Sequence, residues 1–150
     1  MTTLMALTDV GRLRIDDILT DDLKFDIVSI AYGSSGYNVV TPALADPINT
    51  ALTALVAETF RKPLPLSSTV VETIVSPRGR ESIYTSLDGL EYQGVGLGEA
   101  GIYAKVTDAG TTGLSIGHEF LIAVSHFGRK VITPSTRFAI KWPVDYSMPL

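Results

Sequence analysis

At 150 residues, 45% hydrophobic and 19% charged, the chain has the make-up of one folded domain and not of a disordered tract. A net charge of −4 argues against a nucleic-acid partner, because that affinity is largely counterion release by Lys and Arg. The absence of cysteine removes disulfides, zinc–thiolate sites and thiol catalysis.

The start, MTTLMALTDVGRLR, has no basic segment leading into an apolar signal core, and no apolar run approaches about 20 residues. A soluble, unexported chain with no membrane segment is expected, folded as a single domain over residues 1–150. Thr8-Asp9 has the form of a helix start, and Val10, Leu13, Ile18 and Leu19 supply a rough apolar stripe ending in the polar turn Thr20-Asp21-Asp22. Lys24 to Tyr32, KFDIVSIAY, is apolar on both faces at its centre, as a buried strand is. GSSGYNVVTP, residues 33–42, reads as loop.

Asp46-Pro47 offers a stronger helix start, with a capping carboxylate, a proline at the first helical position, and Ile48, Leu52, Leu55 and Val56 on one face. That helix should end before Phe60-Arg61-Lys62-Pro63, where proline prevents its continuation. From about Ser67 onward strand character dominates. STVVETIVSP and RESIYTSLDG are separated by the turn-like Ser76-Pro77-Arg78-Gly79, and Asp88-Gly89 is a typical two-residue hairpin dipeptide. HEFLIAVSHF, residues 118–127, follows the glycine- and threonine-rich loop DAGTTGLSIG. In TRFAIKWPVDY the residues Phe138, Ile140, Trp142, Val144 and Tyr146 alternate with Arg137, Ala139, Lys141, Pro143 and Asp145, while Pro143 marks a sheet edge or a bulge. The fold class expected is α+β: two N-terminal helices followed by a mainly antiparallel β-sheet or sandwich.

Several short patterns invite chemical readings. GLGEAG, with Gly96, Gly98 and Gly101, matches the spacing of a dinucleotide-binding turn, but that turn must open a helix, and Ile102, Ala104 and Val106 alternate as in a strand. The glycines are better read as bends or bulges between close strands. Gly113-Leu114-Ser115-Ile116-Gly117 fits a nucleophile elbow, yet Glu119 and His126 lie on one extended segment beside it and cannot converge on Ser115. His118 and His126 would stand roughly 26 Å apart at about 3.3 Å per residue, too far to share a metal, and read as solvated strand-end side chains. Asp16, Asp17, Asp21, Asp22 and Asp26 lack the ligand spacing, glycine and closing glutamate of a calcium loop, and read as a solvated helix end. Glu99 has no catalytic partner and suits a structural role, accepting backbone N–H groups in a tight turn. The sequence therefore implies no catalytic, cofactor-binding or metal-ligating set, no enzyme activity and no small-molecule substrate.

The order of features resembles the N-terminal attachment domains of bacteriophage tail fibres and tail-collar fibre proteins, and related baseplate components. Leu7-Thr8-Asp9-Val10-Gly11 is similar to the family's short TxxG helix, IVSIAYGSSG to its apolar strand with a glycine turn, and Val40-Thr41-Pro42 to its threonine–proline loop. ALTALVAETFR, residues 51–61, resembles the Ala/Leu-rich helix that runs into an aromatic–arginine pair, here Phe60-Arg61. Glu99-Ala100-Gly101-Ile102-Tyr103 resembles a further signature, and TRFAIKWPVDYS the closing strand. The resemblance implies a virion structural protein of the tail or baseplate, made in the host bacterial cytoplasm. It also implies self-association, with a trimer favoured, and contacts with other tail or baseplate proteins. Family members usually continue into a fibrous shaft and receptor-binding tip, so the expected role is a connector or attachment module without the receptor-binding function of a complete fibre. The alternative from the residues is a carbohydrate- or receptor-binding β domain using Tyr32, Tyr37, Tyr84, Tyr92 and Tyr103.

Overall fold

A short side chain that can both accept and donate sets the first junction of the fold. In the computed structural model, which describes residues 3–63, 70–74, 80–87, 94–133 and 138–145, β1 (Thr3–Leu7) runs directly into α1 (Asp9–Thr20) through Thr8, which is fully buried. The Thr8 hydroxyl accepts the Gly11 N–H at 2.9 Å, capping the helix, and donates to the Leu121 carbonyl, tying it to the sheet. Gly11 lies so close to the Ile122 carbonyl that a Cβ would fall on it. The helix buries Gly11, Ile15 and Asp17, with Asp17 paired to Arg14 at 2.7 Å. The expected stripe is thus rotated: Leu13 and Leu19 face solvent, and the acidic run is not uniformly solvated.

Seven further strands follow: β2 (Lys24–Gly33), β3 (Glu58–Pro63), β4 (Val70–Ile74), β5 (Arg80–Leu87), β6 (Gly96–Asp108), β7 (Glu119–Val131) and β8 (Phe138–Asp145). Five form an antiparallel sheet in the order β1-β7-β6-β2-β3, and three form a second in the order β4-β5-β8. For β4, β5 and β8 the description is of backbone and register. Among the described residues β8 is an edge strand, which accommodates Pro143, and Pro143 lies opposite Ser82. The turn 76–79, Asp88-Gly89, Tyr92 and Tyr146 lie outside the described residues.

The expectation of two N-terminal helices is overturned. Among the described residues α1 is the one helix, and the fold is mostly β. Residues 34–57, where Asp46-Pro47 predicts a second helix, form a long loop joining the neighbouring strands β2 and β3. Phe60-Arg61-Lys62-Pro63 is part of β3 and not the exit of a helix. Helical pairing loses because the loop's backbone groups are taken elsewhere. The Asp46 N–H donates to the Gly36 carbonyl at 2.8 Å, the Ala51 N–H to Asn49 Oδ1 at 3.1 Å, and the Thr50 carbonyl accepts from the Asp9 N–H at 2.8 Å. The apolar pattern still reports burial: Ile48, Leu52 and Leu55 all pack into one cluster, whereas Val56 is exposed.

The five-stranded sheet is covered on both faces. One face carries Ile30, Tyr32, Ala100, Ile102, Ala104, Phe120 and Ile122, packed with Ile15 of α1. The other carries Ala31, Tyr103, Leu121 and Val124, packed with Leu55 of the loop. Replacing Thr8 by Val should remove the cap and the tie to Leu121, lowering unfolding free energy in urea by about 1–2 kcal/mol. Thr8→Ser should stay closer to the parent protein, because it keeps the hydroxyl.

Candidate functional site

Alternation along β6 sends Glu99, Gly101 and Tyr103 to one face of the sheet, opposite His126, Val124 and Leu121 of β7. The 34–57 loop lies over this face. Glu99 is fully buried, and its carboxyl accepts the Ala57 N–H at 2.7 Å through Oε1 and the Val56 N–H at 3.3 Å through Oε2. The Tyr103 hydroxyl accepts the Leu55 N–H at 3.3 Å. His126, 5% exposed, places Nδ1 at 2.9 Å from the Asp46 carbonyl. A carbonyl only accepts, so Nδ1 is the donor. Nε2 is buried without a hydrogen-bond partner among the described residues. The Arg129 N–H donates to the Pro42 carbonyl at 2.7 Å, which fastens the loop at a further point along β7.

Two glycines of GLGEAG, Gly98 and Gly101, serve this contact. β6 runs through them as a strand with a register shift between Leu97 and Glu99, and no helix opens after them, so no helix N-terminus is offered to a phosphate. A Cβ on Gly98 would fall on the Ser35 carbonyl, and Gly36, at φ +91°, faces the Gly98 carbonyl in turn. Gly101 is limited differently: a Cβ there would meet Leu121 Cδ1 at 2.7 Å and Leu55 Cδ2 at 2.9 Å, which is crowding by side chains and not backbone strain.

Beyond the loop, the same face carries a polar cluster. Arg61 sits 3.9 Å over the Tyr103 ring and pairs with Glu58 at 2.7 Å and with Glu119. The exposed carboxylates make these pairs worth only fractions of a kcal/mol to about 1 kcal/mol each. Burial raises the Tyr103 pKa above its ordinary value of 10.0, with the Leu55 N–H acting in the opposite sense.

The remaining candidates separate in space. Ser115 and His118 are exposed around the 109–118 loop, while His126 is buried under the other loop and Glu119 is paired with Arg61, so no triad assembles at Ser115. The reading of His126 as a solvated strand-end residue is corrected by its burial and its bond to Asp46; nothing in its sequence neighbourhood announces a loop that arrives from residue 46. Glu99 does accept backbone N–H groups, though from a segment 42 positions away and not from its own turn. Asp21 bonds Thr111 Oγ1 at 2.8 Å, and that bond, with one from Thr20, holds its carboxyl below the usual range. Among the described residues no group of three or more His, Asp or Glu is arranged to hold a metal, and no helix is long and apolar enough to cross a membrane. Of the tyrosines expected to contact a glycan, Tyr32 and Tyr103 are buried, which removes them from an open binding surface.

No family model, curated protein or solved structure matches the chain.

Replacing Glu99 by Leu should leave the Val56 and Ala57 amides unpaired and cost about 1–3 kcal/mol in denaturant unfolding, with Glu99→Gln intermediate because one acceptor oxygen remains. The Tyr103 shift gives a separate test. With a raised folded-state pKa, the unfolded chain releases this proton first. Stability is therefore intact below pH 10.0 and falls as pH rises above it. Unfolding curves across that range should show a shallower alkaline loss for Tyr103→Phe than for the parent protein.

Proposed function

We propose that this chain is a structural protein of a bacteriophage tail or baseplate, a connector or attachment module joining the tail to fibres or to neighbouring baseplate proteins. Its mechanism is packing and not turnover, and its partners are copies of itself, with a trimer favoured, and other tail or baseplate proteins. It acts in the virion after synthesis in the host bacterial cytoplasm.

What supports this reading is that several of the short motifs behind the family resemblance have a definite part in the fold, although residues 51–57, which the resemblance expects as a helix, are loop. Thr8 and Gly11 of the TxxG segment join α1 to β7. Pro42 of the threonine–proline segment is held by Arg129. Phe60 stacks on Tyr32 with ring centroids 5.1 Å apart, and Arg61 covers Tyr103. Glu99 and Tyr103 of the EAGIY segment hold residues 55–57.

The test is direct. Mass spectrometry and cross-linking of purified particles should find this chain joined to a tail or baseplate protein. Its absence from purified virions would overturn the reading.

A further inference from the structure

We infer that the outer turn of the 34–57 loop is a homotypic contact, through which one copy of this chain packs against another. Val39 and Val40 are 84% and 87% exposed, with Leu44 beside them 48% exposed. These apolar side chains stand on an ordered support. Asn38 Oδ1 accepts the N–H groups of both Val40 and Thr41 at 2.9 Å, and the Asn38 N–H donates to the Leu44 carbonyl at 2.9 Å. The Leu44 N–H returns to the Thr41 carbonyl at 3.0 Å, and Arg129 fixes Pro42 from the sheet. A β-branched side chain on a backbone already held in place loses little further freedom on association.

Charge selects the occupant. Between residues 34 and 57 the one charged residue is Asp46, in a chain of net charge −4. A symmetric contact sets a surface against its own copy, so an acidic chain repels itself wherever its carboxylates are brought together. The loop is the long stretch on which that repulsion is nearly absent. It has no lysine or arginine with which to hold a nucleic acid or an anionic membrane, and a basic partner would find a single carboxylate. A second copy of the loop satisfies both the apolar exposure and the charge.

The inference rests on the proposed function only in taking self-association as part of assembly, and the two fail separately. Sedimentation at micromolar concentrations should be compared for the parent protein and the double variant Val39→Asp/Val40→Asp, with thermal melts of both and a check of particle incorporation. The expected result is association by the parent protein, weakened at least about tenfold in the variant by like charges opposed at the contact, with the same melting when both are diluted to monomers, because both positions are exposed. A parent protein that stays monomeric, or an oligomer indifferent to the substitutions, overturns the contact and leaves the virion reading standing. If both proteins are monomeric and only the variant fails to enter particles, the surface meets a different protein and the homotypic contact is wrong. Loss of association in the variant, for a chain absent from particles, supports the contact and overturns the virion reading.

Discussion

One buried carboxyl group organises the distinctive half of this fold. Glu99, on a central strand of the five-stranded sheet, receives the N–H groups of Val56 and Ala57 and so fixes the return of a long loop to the edge strand β3. An apolar residue at that position would cover the same area but would leave two amides facing a dry surface. Each unpaired amide costs a desolvation penalty comparable to a lost hydrogen bond, so the loop would lift toward water. A buried acid is an expensive way to fill a sheet face, and it persists where backbone N–H groups arrive to meet it.

The rest of the covered face follows from that arrival. Gly98 and Gly36 let two backbones approach to contact, Gly101 leaves space for Leu55, and Tyr103 takes the Leu55 amide with its hydroxyl while its ring supports Arg61. The alternation of small residues with Glu and Tyr in GLGEAGIY is therefore the imprint of a loop lying across a strand. Phosphate chemistry leaves a similar glycine spacing for the same geometric reason, since both need close approach to a backbone. What separates the two is the element that follows, and here it is more strand.

Sequence reading succeeded where the deciding contacts are local. Thr8 caps α1 through Gly11 within a single turn, and the strands β2, β6 and β7 announce themselves by apolar period or by apolar runs. It failed at Asp46-Pro47, where every local sign favours a helix, because the competing partners are Gly36, Glu99, Tyr103 and His126, up to 80 positions distant. Propensity is a weak preference and tertiary hydrogen bonds outweigh it. The same remoteness hid the burial of His126. Ile48, Leu52 and Leu55 were rightly expected to face a core, yet a shared core face does not specify the backbone that delivers it.

A loop held this way is at once ordered and outward-facing, the combination an assembly surface requires: the sheet supplies rigidity, the loop supplies shape, and the scarcity of charge allows close approach to a neighbour. Everything on this face depends on residues 55–57 being fastened to the sheet, and amide hydrogen exchange on the isolated protein measures that fastening most directly. The amides of Leu55, Val56 and Ala57 should exchange as slowly as those of the central strand β6, although they belong to no regular element or lie only at the margin of one. Exchange at the rate of an open surface loop, with β6 still protected, would show that Glu99 and Tyr103 do not hold the loop and would contradict the account.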